Sequence, residues 1–170
     1  MKIILSICAL AFSICAYSQN SQYITPLVLS EAKNALEIVK NRLDTNNYLL
    51  YNLRDKYLIV GKVAKEYQLF LVQTVFDDKS HTTTYKLIRE DLITDSILLN
   101  SAFQGKSYDR RFRQSAIEPA VSYLYYYQKI KGNKICEFFL PVLSYTHDYK
   151  LEYPISNDLN KFLFDELRKD

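Results

Sequence analysis

The chain has no tryptophan, only three glycines and only two histidines. A glycine-rich phosphate loop is therefore excluded, which argues against nucleotide-dependent catalysis. His81 and His147 lie far from each other and from Cys136, and the sequence contains no HExxH or CxxC spacing. No GxSxG elbow marks a nucleophilic serine either. The sequence predicts no metal site, no cofactor and no catalytic residue, and it favours a protein that is not an enzyme.

The chain also lacks a strong charge of one sign. Its formal net charge is +3, and without Lys2 the balance is 21 basic against 19 acidic residues. Nucleic-acid binding generally needs a much more one-sided basic surface. We therefore expect no nucleic-acid partner.

The first eighteen residues have the pattern of a signal peptide. Lys2 is the only charge among the first thirty residues, and the apolar run over 3–12 is too short to cross a membrane as a helix. Ala16 and Ser18 are small residues at the positions that a signal peptidase reads, so we expect cleavage before Gln19. The sequence predicts a signal peptide over 1–18, a single soluble domain over 19–170, and export to the periplasm or the extracellular space.

The positions of the three cysteines indicate how the exported domain is anchored and stabilised. Cys15 follows the bulky Ile14, which argues against a lipid anchor at that cysteine. Cys8 also lies in the signal segment, so Cys136 would be the only cysteine left and no internal disulfide is possible. Cys136 lies in an apolar run, and we expect a buried, unreactive thiol.

Residue periodicity predicts helices at both ends of the domain and strands between them. Apolar spacing predicts a helix over 31–43 capped by Ser30 and a closing helix over 158–168 capped by Ser156 or Asn157. Residues 48–55 fit neither period, so a short helix and an extended connection both stay open. Runs rich in β-branched and aromatic residues predict strands over 57–63, 67–76, 82–89, 123–130 and 134–143, and a shorter strand is possible over 96–99 within a long loop.

These elements predict an α+β fold, with an antiparallel sheet of about five strands packed against N-terminal and C-terminal helices as a sandwich or a roll. The order of elements resembles that of cystatin-like and nuclear-transport-factor-like rolls. That resemblance implies a helix lying in the concave face of an antiparallel sheet. It extends to element order alone, so it implies no activity and no site residue.

A basic loop is the first candidate binding site. It concentrates Lys106, Arg110, Arg111 and Arg113 beside two aromatic residues. Arginine binds carboxylates and phosphates with two parallel hydrogen bonds, so this loop predicts an anionic partner. The alternative is a solvated loop whose arginines pair with nearby acids.

A tyrosine stripe is the second candidate. In a strand over 123–130, Tyr123, Tyr125 and Tyr127 would share one face. Tyrosine gives a large contact area at low entropic cost, which suits a protein or glycan partner. The alternative is that this face fills the core and leaves only hydroxyl groups at its rim.

Three functions are compatible with these features. The first is an exported, non-catalytic binding or assembly module of the bacterial envelope, contacting a protein or an envelope polymer. The second is a secreted inhibitor or immunity-type protein acting on a partner enzyme, which a protruding rigid loop would favour. The third is an enzyme or small-ligand carrier, which a deep cavity containing a histidine or a buried carboxylate would favour.

Overall fold

The computed structural model describes residues 26–94, 96–108, 122–142 and 155–169. Helix α1 covers residues 26–39 and continues into a single 3₁₀ turn. The other elements are the 3₁₀ turn Lys40–Arg42, β1 Tyr48–Leu53, β2 Lys56–Val63, β3 Glu66–Asp77, β4 Thr82–Ile93, α2 Ile97–Phe103, β5 Ser122–Ile130, β6 Asn133–Val142 and α3 Asn157–Arg168.

All six strands form one antiparallel sheet in the order β4-β3-β2-β1-β5-β6. Each hairpin joins neighbouring strands, and β1 pairs on its other side with β5. Strand β1 is therefore central, and its residues from Tyr48 to Asn52 are all buried. A strand buried on both faces has no polar alternation, which is why its sequence fitted neither period.

The helices cover opposite faces of this sheet. Residues Ala32, Ala35 and Val39 of α1 pack on one face with a set of alternate strand residues. Helices α2 and α3 pack on the other face against the remaining alternate residues. The predicted α+β class with an antiparallel sheet and terminal helices is confirmed, and of the two predicted architectures it is the sandwich, with three layers.

Local geometry explains two features of the sheet. The β5–β6 hairpin turns at Lys131 and Gly132, which both have positive φ, as expected for a tight two-residue turn. Gly61 of β2 lies directly under the Leu43 side chain, and a Cβ at this position would collide with it. Gly61 therefore lets the chain leaving α1 pack closely on the sheet.

Several predictions for individual elements need correction. Ser30 does not cap α1, because the helix already includes residues 26–30 and Pro26 fits within a first helical turn. The segment 96–99 is not a strand: Ser96 caps α2 by accepting a hydrogen bond from the Leu99 amide. With β1 included, the sheet has six strands rather than five.

Within the described ranges, no helix is both long enough and apolar enough to span a membrane. The predicted signal peptide over 1–18 and its cleavage before Gln19 lie outside the described residues.

Candidate functional site

A groove opens between α1 and strands β1 and β5. Its volume is about 160 Å³. One wall comes from α1 and the floor comes from the sheet, where three tyrosines lie together. We call this feature the tyrosine groove; its lining residues are Leu29, Ala32, Lys33, Leu36, Tyr48, Leu50, Tyr125 and Tyr127.

Strand register brings the three tyrosines together. Leu50 of β1 lies opposite Tyr127 of β5, and the side chains of Tyr48, Tyr125 and Tyr127 all project from the sheet face that α1 covers. The rings of Tyr48 and Tyr127 are 5.6 Å apart, centroid to centroid. The ring of Tyr125 stacks on Phe139 of β6 at 4.6 Å, so the aromatic floor is held from both neighbouring strands.

A carboxylate lies beside these phenols. The Tyr125 hydroxyl donates to Glu137 Oε1 at 3.1 Å, and Lys134 Nζ donates to Glu137 Oε2 at 2.8 Å. Burial, and then the negative charge of Glu137, raises the pKa of Tyr125 well above its ordinary value. Burial followed by the neighbouring Tyr127 raises the pKa of Tyr48 in the same direction. Tyr48 and Tyr125 therefore stay neutral at physiological pH, and the charge of Glu137 is balanced by Lys134.

Of the residues that the structure describes, Lys33 is the only basic one that lines the groove. It lies on the exposed side of α1. Among the described residues, no carboxylate lies within ion-pairing distance of its ammonium group. The groove thus combines an apolar lining with one basic side chain that forms no ion pair with the described residues.

The three residues of the tyrosine stripe differ in their exposure to solvent. Tyr123 and Tyr125 are buried, at 8% and 3% exposure. For these two residues the structure agrees with the alternative prediction, that this strand face fills the core. Tyr127 is half-buried and leaves part of its surface in the groove. Only Tyr127 thus offers a phenol of the stripe to a partner without rearrangement of the core.

Lys106, the described residue of the basic loop, does not lie at the tyrosine groove. Lys106 is exposed just after α2, and α2 packs on the sheet face opposite the tyrosine groove. Arg110, Arg111 and Arg113 lie outside the described residues. The two candidate sites are therefore not shown to form one surface.

Sequence reasoning missed Lys33 and Tyr48, which line the groove, and Glu137, which bonds to Tyr125 beside it. Lys33 belonged to the polar side of a predicted helix, and Tyr48 began the segment that fitted neither period. Glu137 follows Cys136 in an apolar run. Nothing in the sequence marks these positions, because their proximity depends on how β1, β5, β6 and α1 meet.

A second feature is the far end of the β3–β4 hairpin. Strand β2 begins at Lys56, opposite Gln73, and the Thr74 amide still donates to the Asp55 carbonyl oxygen, so residues 75–77 and 82–84 extend past it as a two-stranded ribbon, which we call the β3–β4 arm. Phe76 on this arm is 58% exposed. Asp77 fixes the tip by accepting hydrogen bonds from the Lys79 amide and the Ser80 hydroxyl, and these bonds lower the pKa of Asp77. The arm presents an apolar side chain beside an ordered turn.

The described residues contain no cluster of three or more His, Cys, Asp or Glu that could hold a metal ion. Cys136 is buried, and burial raises its pKa to about 12, which keeps the thiol protonated and unreactive. The carboxylate beside the groove, Glu137, is already paired with Lys134 and Tyr125. No protein-family model, no curated protein and no solved structure matches the chain.

Proposed function

We propose that the chain is an exported, non-catalytic binding module of the bacterial envelope that holds a protein partner at the tyrosine groove. Export rests on the signal-peptide pattern over residues 1–18. The absence of catalytic motifs from the sequence favours binding over catalysis.

The observation that carries this proposal is the composition of the groove itself. Tyr127 offers a partly exposed ring that packs against the buried ring of Tyr48, so little side-chain entropy is lost when a partner docks. Leu29 and Leu36 add apolar contact on the opposite wall. Pre-organised aromatic and apolar surface of this kind is typical of the anchor positions in protein interfaces.

Affinity capture with matched tyrosine variants tests the proposal. The chain from Gln19 onward would be immobilised as wild type, as Tyr127→Ala and as Tyr85→Ala, and incubated with envelope extract. Tyr85 is the control because it is also half-buried, on the same sheet face, but does not line the groove. We expect a partner that the wild type and Tyr85→Ala retain and Tyr127→Ala loses, with both variants shown to be folded. Equal capture by all three proteins would contradict the proposal.

A second candidate function, a secreted inhibitor or immunity-type protein, is favoured by the β3–β4 arm. The arm projects beyond the sheet, exposes Val75 and Phe76, and has a tip fixed by Asp77. Such a ribbon could enter the cleft of a partner enzyme. Phe76→Ala should then abolish capture of the partner while Tyr127→Ala leaves it intact, which is the reverse of the pattern expected for the groove.

No observation on the described residues favours a ligand carrier or an enzyme with an internal pocket. His81 lies at the tip of the β3–β4 arm, remote from the tyrosine groove, and His147 lies outside the described residues. The groove is open at the surface.

A further inference from the structure

The size of the tyrosine groove limits what it can hold. A volume of about 160 Å³ is close to that of an apolar cavity that accommodates one benzene molecule, roughly 150 Å³. The groove therefore has space for one side chain of the size of leucine or phenylalanine. Its accessible lining, which includes Leu29, Leu36 and the Tyr127 ring, matches such a side chain in polarity.

The charge around the groove favours a negative group beside that side chain. Lys33 has no ionic partner among the described residues, whereas Glu137 is neutralised by Lys134 and bound by Tyr125. A ligand carboxylate in the groove would therefore lie beside a basic side chain that has no ion-pair partner among the described residues. It would not face an uncompensated negative charge from Glu137.

We infer that the tyrosine groove binds the apolar C-terminal residue of a partner protein, with the side chain against the Tyr127 ring and the α-carboxylate near Lys33. This inference rests on the proposed function and names the part of the partner that is recognised. A chain terminus fits better than an internal acidic residue. The α-carboxylate is attached to the same Cα as the apolar side chain, whereas an aspartate or glutamate would need space for a second side chain.

The test is an NMR titration of the isotope-labelled chain from Gln19 onward with short peptides. The main probe is acetyl-Gly-Gly-Phe with a free carboxylate, and its matched control is the same peptide with an amidated C-terminus. Acetyl-Gly-Gly-Gly with a free carboxylate controls for the side chain. We expect the free phenylalanine peptide to shift amides of α1, β1 and β5 and to bind about two- to fivefold more tightly than its amide, the range that an exposed ion pair supports. The glycine peptide should produce no saturable shift.

Two lysine variants assign the carboxylate preference. Lys33→Gln should remove the difference between the free and amidated peptides, and Lys65→Gln should leave it unchanged. Lys65 is the matched control because it is an exposed lysine in the turn between β2 and β3 that does not line the groove. Added salt should reduce the preference in the wild type, because screening weakens an exposed ion pair.

Three results would overturn the inference. Equal binding of free and amidated peptides would show that the carboxylate is not recognised. A preference that survives Lys33→Gln would place the recognition elsewhere. Tighter binding of free phenylacetate than of the phenylalanine peptide would indicate a site for small acids rather than for a protein terminus.

The proposed function fails by a different result. If Tyr127→Ala captures the partner as well as wild type while the peptides behave as expected, the groove recognises chain termini but does not hold that partner. If capture depends on Tyr127 and the peptides show no carboxylate preference, the proposed function stands and the inference about the C-terminus is wrong.

Discussion

Tyrosine is a main component of the buried core. Seven of the described tyrosines are buried, and several of them donate a hydrogen bond from the hydroxyl group to a polar side chain. Tyr51 donates to Asn160 at 2.9 Å, Tyr57 to Glu31 at 3.1 Å and Tyr67 to Asn100 at 2.6 Å. These bonds satisfy phenol groups that would otherwise lose hydration on burial. The tyrosine groove is the place where this aromatic layer reaches the surface.

The buried phenols should be visible in an alkaline titration. Burial raises the pKa of Tyr48, Tyr57, Tyr125 and Tyr126 above the ordinary value of 10.0. Unfolded tyrosines ionise near pH 10, so the stability contributed by these phenols is complete below about pH 10 and declines as the pH rises further. At about pH 11 the native protein should show fewer tyrosinates by absorbance than the denatured protein. Equal tyrosinate absorbance in a protein that remains folded would contradict this burial.

Cys136 should be chemically quiet in the native state. It is 2% exposed, and burial followed by the charge of Glu137 raises its pKa to about 12. In the chain from Gln19 onward it is the sole thiol. We expect a thiol reagent to label the native protein slowly and the denatured protein at the rate of a free cysteine. Rapid labelling under native conditions would mean that the core around β6 opens easily.

At the scale of whole elements, the sequence predicted those with a clear period and missed those without one. Strands β2 and β3 and the closing helix were predicted to within one or two residues, because each combines strong local propensity with a recognisable boundary. Strand β1 was left open, since burial on both faces removes alternation. The sequence predicts a loop with a possible strand over 96–99, whereas the structure has helix α2 there, because seven residues are too few to display a helical period.

One ion-pair cluster fastens α3 to the edge of the sheet. Arg89 of β4 donates to the carbonyl oxygens of Glu166 and Lys169 at the end of α3, and it pairs with the Glu166 carboxylate at 3.0 Å. The side chains of Arg89 and Glu166 are only 17% and 10% exposed. Lys169 also contacts Glu166. The cluster therefore closes the helix C-terminus and holds it against β4.

Removal of Arg89 should be far more costly than removal of a comparable surface arginine. Arg89→Ala leaves the Glu166 carboxylate and two helix carbonyls without this donor, and we expect a loss of about 3 kcal/mol in the free energy of unfolding. Arg42→Ala is the matched control, because Arg42 pairs with Glu90 at 2.6 Å but its side chain is 55% exposed. That change should cost less than roughly 1 kcal/mol. Urea unfolding measures both variants. Similar losses of unfolding free energy for the two would contradict the proposed role of the Arg89–Glu166 cluster.

At the scale of the whole molecule, the fold class could be predicted, but of the groove only Tyr125 and Tyr127 were among the predicted site residues. The pattern of strands between two helices was enough for an α+β domain, whereas the groove joins Lys33, Tyr48 and Tyr127 from three separate elements. Their meeting depends on the pairing of β1 with β5 and on the sheet face that α1 covers. Neither follows from local propensity, because both are long-range choices of topology.

Export of the chain is a separate prediction at this scale. The small residues Ala16 and Ser18 favour cleavage before Gln19, and Ile14 argues against acylation at Cys15. Intact-mass measurement of the protein recovered from cells should therefore give a chain that starts at Gln19 and carries no lipid. A mass that corresponds to an acylated chain starting at Cys15 would place the protein on a membrane surface instead.

Photo-crosslinking in intact cells tests the central claim, binding at the tyrosine groove, most directly. A photoreactive residue would replace Lys33 in the groove, Phe76 on the β3–β4 arm or Lys65 as an exposed control, one position at a time. We predict one discrete adduct from position 33 that Tyr127→Ala weakens, and no matching adduct from positions 65 or 76. An adduct from position 76 alone would contradict the account and favour an inhibitor that acts through the arm.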